Sequence, residues 1–168
     1  MGGSLIPTVE LKNKVDVEDF VRGVTFYGTG GGGDPKRGLE FLLKDLEIYK
    51  RIVWKDINEV SEEGWSACAF FMGSIAPETP EVKQKKEEFG LITITVENPL
   101  INAIKELEQY TGKTVDVIVP VELGGENTPG PLDVAIRTGK ILVDGDYAGR
   151  AIPEIVQITP HIYGKKVT

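Results

Sequence analysis

The residues with the most chemical potential lie together from Asp144 to Glu154, in the run Asp-Gly-Asp-Tyr-Ala-Gly-Arg-Ala-Ile-Pro-Glu. Three carboxylates and a guanidinium fall within these eleven residues, directly after the apolar run Ile141-Leu142-Val143. Core packing has no use for so many unlike charges beside a strand end, whereas a polar site does. Asp144 and Asp146 flank Gly145. Two carboxylates sharing one site repel, which raises one pKa and leaves a candidate acid beside a candidate base. The structural alternative is a rigid turn in which Arg150 neutralises one of them. Glu154, following Pro153, is either a ligand-binding residue or a surface acid.

A second constellation is Glu122-Leu-Gly124-Gly125-Glu-Asn127. A carboxylate and an amide flanking two bare backbone N–H groups suit holding a polar substrate head or stabilising an oxyanion. The bland alternative is a turn in which Asn127 caps the next helix. The third is the glycine run Gly28-Thr-Gly30-Gly31-Gly32-Gly33-Asp34-Pro35. It matches G-x-G-x-x-G at Gly28, Gly30 and Gly33, but a run this rich in glycine matches almost automatically, and the dinucleotide fingerprint needs a strand before it. Val17 to Val24 read as a helix instead, and no Gly-Lys-Ser/Thr follows, so no nucleotide cofactor is expected. The glycines still let backbone N–H groups approach a ligand beside the positive end of the following helix, with Lys36 and Arg37 adding charge. A flexible connector is the alternative.

Glu122, Asp144, Asp146 and Glu154 are all oxygen donors of the kind a hard divalent cation takes, which leaves metal binding open. Zinc-type His/Cys spacing is absent. Cys68 reads as a small core residue and His161, the only histidine, as structural or exposed, which argues against a Ser-His-Asp or Cys-His triad.

The elements that must position these residues follow from capping signals and periodicity. Asp16 is expected to cap a helix with Val17, Phe20, Val21 and Val24 on one face, and Asp34-Pro35 to start another with Leu39, Leu42, Leu43 and Leu46 buried. Thr79-Pro80 and Asn98-Pro99 repeat the cap-then-proline signal, the second ahead of Leu100, Ile101, Ile104 and Leu107. A short helix is expected over 131–138. Strands are expected over 51–56, 67–72, 91–96, 115–119 and 141–143, with weak alternation over 155–162. Strands alternating with helices predict an α/β fold: a mostly parallel sheet flanked by helices, in a single domain, with the site at the strand C-terminal ends. Residues 1–14 are expected to be a loosely held leader, 15–164 the domain and 165–168 a tail.

The chain has 168 residues, enough to bury a core without staples, and its single cysteine precludes an internal disulfide. A net charge of −7 with no basic stripe argues against nucleic acid or an anionic membrane as partner. With no long apolar run and no charged-then-apolar N-terminus, a cytoplasmic location is expected.

Taken together, Gly28-Thr-Gly-Gly-Gly-Gly-Asp-Pro35, Glu122-Leu-Gly-Gly-Glu-Asn127 and Asp144-Gly-Asp-Tyr-Ala-Gly-Arg-Ala-Ile-Pro-Glu154 resemble, in order and spacing, the N-terminal domain of the S-methyl-thiohydantoin desulfurase family, a hydantoinase- and oxoprolinase-related group. The resemblance runs from about Val15 to Gly164. It departs from the family pattern after Met72, where the loop is Gly73-Ser74-Ile75-Ala76-Pro77, and in lacking the family's usual β-rich C-terminal domain. It implies a hydrolase-type domain acting on a cyclic amide, imide or thiohydantoin-like compound. In that reading a water activated by Asp144 or Asp146 attacks a ring carbon, Glu122 and Asn127 orient the ring, and Arg150 with the glycine amides stabilises negative charge. The alternative is a non-catalytic subunit of a hydantoinase- or oxoprolinase-type complex. Expected partners are therefore a small-molecule substrate and either a subunit supplying the second domain or further copies of this chain.

Overall fold

A computed structural model describes residues 10–73, 77–91 and 96–166. Strand β1 (Glu10–Leu11) pairs antiparallel with β2 (Ile52–Val53), and Leu11 is buried, so the last part of the expected leader is tied into the fold. Helix α1 (Lys14–Gly28) begins at Asn13, not at Asp16. The Asn13 side chain accepts from the N–H groups of Val15 and Asp16, at 2.9 and 3.1 Å. Asp16 returns the contact by accepting from the Asn13 N–H, a reciprocal capping box that satisfies donors the helix leaves open. Val17, Val21 and Val24 are buried as the spacing predicts, and Phe20 lies against Trp54 with ring centres 5.3 Å apart.

Helix α2 (Pro35–Tyr49) starts where Asp34-Pro35 predicts: the Asp34 carboxylate accepts from the Lys36 N–H at 2.9 Å. Helix α3 (Pro80–Glu88) is capped by Thr79 as expected. Helix α4 (Pro99–Thr111) is not capped by Asn98, which takes a left-handed conformation (φ 50°) and whose side-chain oxygen accepts from the Arg137 guanidinium at 2.9 Å. Leu100, Ile101 and Ile104 are buried, while Leu107 is 40% exposed, at the margin of the expected stripe. Helix α5 (Pro129–Thr138) starts two residues earlier than predicted and is closed by Gly139 at φ 68°. The weak alternation after Glu154 becomes a short helix, α6 (Thr159–Ile162), anchored where the Thr159 N–H donates to the Tyr147 carbonyl at 2.9 Å.

The parallel sheet is present but small. Strands β3 (Ser66–Ala67), β4 (Val117–Ile118) and β5 (Ile141–Leu142) lie side by side in that order, all parallel. Lys55 extends the sheet with a parallel bridge to Val143. The ladders are shorter than the apolar runs, and most of the ordered structure is helical, so a mostly parallel sheet overstates this one. Of the expected strand over 91–96, residues 92–95 lie outside the described residues.

Alternation along the strands sorts the two faces. Ile118 and Leu142 point to the main core with Leu42, Ile104 and Leu132 from α2, α4 and α5. Val117, Val119 and Val143 point the other way, to a smaller cluster covered by Val60 and Tyr147 from loops. Helices therefore cover one face and loops the other. Because β3, β4 and β5 are parallel, the segments following them all emerge at one edge, which is where the polar runs are.

Candidate functional site

Three loops interlock at that edge through their glycines. In loop 28–34, Gly32 (φ 79°) lies with its Cα directly against the Cα of Gly124, so a side chain on either would overlap the other backbone. The Gly32 carbonyl accepts from both Glu126 N–H and Asn127 N–H, each at 2.9 Å. Gly38, in the first turns of α2, is bare so that the Gly125 carbonyl can lie against it. On its other side the glycine loop meets the third segment: a Cβ placed on Gly31 would come within 2.9 Å of the Ala151 Cβ. The glycine run is thus a packing surface for backbone, not a connector. It also places Gly31 next to the residue following Arg150.

Side chains lock the same contact. The Glu122 carboxylate is buried; one oxygen accepts from the Asn127 side-chain N–H and the other from the Ile152 N–H, both at 2.7 Å. Asn127 closes a two-point contact with Phe71, its oxygen accepting from the Phe71 N–H at 2.9 Å and its nitrogen donating to the Phe71 carbonyl at 3.0 Å. That amide stands where a neighbouring strand's backbone would stand, which explains why the extended segment after β3 leaves the ladder. Glu122 and Asn127, expected to hold a substrate's polar head, therefore spend their hydrogen bonds on joining the loops. Thr128 completes the turn, donating to the Glu122 carbonyl at 3.2 Å and accepting from the Gly124 N–H at 3.0 Å.

Glu126, which sequence reasoning passed over, is also buried. One of its oxygens accepts from the Asp34 N–H at 3.1 Å, and the other pairs with the Arg37 guanidinium at 2.8 Å. The guanidinium lies 5.0 Å from the centre of the Phe71 ring and 5.9 Å from that of Phe41, within cation–π range. The one available signal was an acidic residue inside a glycine turn opposite a helix start carrying Arg37.

The rim outside this lock carries the exposed charges. Asp144 donates its backbone N–H to the Lys55 carbonyl at 2.7 Å, which fixes its place at the end of β5 while leaving its carboxylate exposed. Asp146 turns inward on its own loop, one oxygen accepting from the N–H groups of Ala148, at 2.7 Å, and Gly149. Arg150 is exposed, and its Nε donates to the Ala151 carbonyl at 3.0 Å. Its two terminal nitrogens have no partner among the described residues. Glu154 and Asp34 are also exposed, as are Gly30 and Gly33.

Among the described residues no group of three or more His, Cys, Asp or Glu side chains is arranged to hold a metal ion. Glu122, Asp144, Asp146 and Glu154 are not gathered as a ligand set, and Glu122 has both oxygens engaged by N–H donors. Burial pushes the Cys68 thiol up to about 12, so it is no nucleophile at neutral pH. A cavity of about 430 Å³ lies elsewhere, beside the residue that enters β5, and is lined in part by Asn98, Lys105, Glu108, Arg137 and Lys140. Among the described residues no helix is long and apolar enough to cross a membrane.

A crystal structure of a protein from Chromobacterium violaceum superposes with a TM-score of 0.63 at 22% sequence identity, covering 93% of this chain and 40% of that one. At that identity the likeness speaks for the fold alone, and this chain spans about two-fifths of the length of the protein it matches. No protein with a curated description matches it. Residues 15–168 match the profile of the "S-Me-THD-like, N-terminal domain" family. That match takes in the glycine loop, the Glu122–Asn127 turn and the Asp144–Glu154 rim, and the chain belongs to that family.

Proposed function

We propose that this chain is the α/β portion of a hydrolase-type enzyme acting on a cyclic amide, imide or thiohydantoin-like small molecule. The observation that carries the reading is a division of labour among the charged groups at the sheet edge. Glu122, Glu126 and Asn127 are buried and joined to neighbouring backbone, while Asp144 and Arg150 sit on the rim with reactive atoms facing outward. In this reading Asp144 is the base, and Asp146 shapes the loop through Ala148 and Gly149. The free guanidinium nitrogens of Arg150, with the N–H groups of Gly32 and Gly33, stabilise negative charge as it develops. Gly30, Gly31, Asp34, Gly124 and Gly125 border the site, and Glu154 lies at its outer margin. Glu122 and Asn127 act as positioning residues, holding the rim to the glycine loop.

The family name points to an S-methyl-thiohydantoin as substrate class. Its sulfur-bearing ring carbon is open to attack by water. The water oxygen becomes the ring carbonyl, one proton goes to the ring nitrogen, and the other leaves with the methylthiolate as methanethiol. Asp144 takes the proton from water and Arg150 faces the oxyanion. The test is thiol release from an S-methyl-thiohydantoin by the purified chain, with Asp144→Asn and Arg150→Gln expected to lower the rate by about 10²-fold or more. Full turnover by Asp144→Asn would remove Asp144 as the base.

A second reading is favoured by the share of the Chromobacterium protein that is covered: this chain serves as one part of a larger assembly in which another domain or subunit closes the exposed rim. Activity of the isolated chain supports the first reading. Thiol release only on adding a polypeptide equivalent to the unmatched part of the longer relative, with co-elution of the two, supports the second.

A further inference from the structure

We infer that the anion slot at the N-terminus of α2 is already filled, and that its occupant is the protein's own Glu126. A helix start preceded by bare glycines attracts negative charge, because unpaired N–H groups and the positive end of the helix dipole converge there. At the α2 start Pro35 has no N–H and the Asp34 carboxylate takes that of Lys36, which leaves the Asp34 N–H, after the bare glycines, and the Arg37 guanidinium of the first turn to meet a further anion. Glu126 reaches it from the facing loop: one carboxylate oxygen accepts from the Asp34 N–H at 3.1 Å and the other meets Arg37 Nη1 at 2.8 Å. The fit is close enough that a side chain at Gly33 would overlap the Glu126 Cβ. Phe41 and Phe71 flank the guanidinium, which is half exposed, while the Glu126 side chain is only 5% exposed. A buried carboxylate needs such a partner, and removing Arg37 leaves it uncompensated.

The consequence is a division between two guanidinium groups 113 positions apart in the chain. Arg37 serves an internal carboxylate, whereas the terminal nitrogens of Arg150 have no partner among the described residues and stay open to an anion from solution. A ligand's anionic group is thereby kept from the Arg37 guanidinium and left to Arg150 and the glycine-loop amides. This inference does not depend on which reaction the rim supports, and its test uses no substrate.

Replacing Glu126 by alanine should empty the slot and let a small carboxylate enter. Thermal unfolding of Glu126→Ala at neutral pH is expected to start below the wild type and to rise with acetate along a saturable curve. Chloride at equal ionic strength should give no such curve, and the wild type should show none with either salt. Adding Arg37→Gln to the variant should abolish the acetate response. A saturable acetate shift in the wild type would mean an open slot, and a folded Glu126→Ala with no acetate response would mean that the site holds no anion; either overturns the inference. Should Glu126→Ala not fold, the cycle of Glu126→Gln, Arg37→Gln and the double variant decides by urea unfolding. A coupling of about fivefold or more in the unfolding equilibrium supports the pairing, and additive effects refute it.

Discussion

Asp45 shows how one residue can set the pH response of the whole chain. It lies on α2, is 1% exposed, and faces Asp133 and Arg137 of α5 with Lys44 beside it. Burial, then the nearby Asp133 carboxylate, pushes its pKa up to about 7. Its oxygens find no donor among the described residues, which fits a protonated Asp45 donating to Asp133 while Arg137 holds the latter at 3.3 Å. Burial raises Asp133 as well, with Arg137 opposing. In the unfolded chain Asp45 titrates near about 3.9, so the folded state binds its proton more tightly. Its stabilising contribution is therefore complete below that value, declines as pH rises between the two pKa values, and is lost above about 7. Urea midpoints measured from pH 5 to 8.5 should fall with pH in the wild type. Asp45→Asn, which mimics the neutral acid, should flatten the profile and raise stability at pH 8. A profile unchanged by that substitution would assign the titration elsewhere. Glu122 gives a second test. Glu122→Gln sets an N–H donor against that of Ile152 or Asn127, and should cost about 1–3 kcal/mol in urea unfolding.

At the scale of elements, the glycine interlock makes a contrast within one residue type. Gly32→Ala and Gly124→Ala each force Cβ into facing backbone, and Gly32 adds a positive φ, so each should destabilise by roughly 2–4 kcal/mol. Gly145→Ala meets open space and should stay within about 0.5 kcal/mol. Comparable losses at all three positions by chemical denaturation would contradict the interlock. How much was legible beforehand follows the same line. Asp34-Pro35 and Thr79-Pro80 announced their helices because cap and helix are neighbours in sequence. Asn98-Pro99 carries the same signal, but its side chain is recruited by Arg137, 39 positions away. The Glu122–Asn127 turn and the Asp144–Glu154 segment were readable as one sheet edge, since parallel strands bring their C-terminal ends together, whereas the glycine run follows α1 and reaches that edge by packing on Gly124 and Ala151. Glu126 was not readable as the partner of Asp34, 92 positions distant, nor was the end of β3 readable where a side-chain amide 56 positions away stands in for a strand. Local chemistry shows in sequence, and pairings across the fold do not.

For the whole molecule, the lock means that rim and core should open together. The N–H groups of Glu126, Asn127 and Ile152 all donate across loops: the first two to Gly32 and the third to Glu122. Native-state hydrogen exchange is expected to place the three in one cooperative unit, protected to about the same free energy as the N–H of Val119, which donates to Ala67 in the parallel sheet. Earlier exchange at Ile152 alone would show the rim to be hinged. The Asp144–Glu154 segment is held at three points, by Lys55 at Asp144, by Thr159 at Tyr147 and by Glu122 at Ile152, so its exposed charges are carried on a fixed platform.

The amide of Asn127 carries a liability of chemical ageing. Hydrolysis of that one group to a carboxylate exchanges a donor for an acceptor, set directly against the Glu122 oxygen 2.7 Å away and the Phe71 carbonyl at 3.0 Å. Attraction becomes repulsion with almost no change of shape. Asn127→Asp should accordingly unfold more easily at neutral pH than Asn127→Ala and recover in mild acid, where its protonated form donates again. A single deamidation event would thus loosen the segment at Phe71 and the Glu122 side chain that holds Ile152, without touching any of the rim's exposed charges.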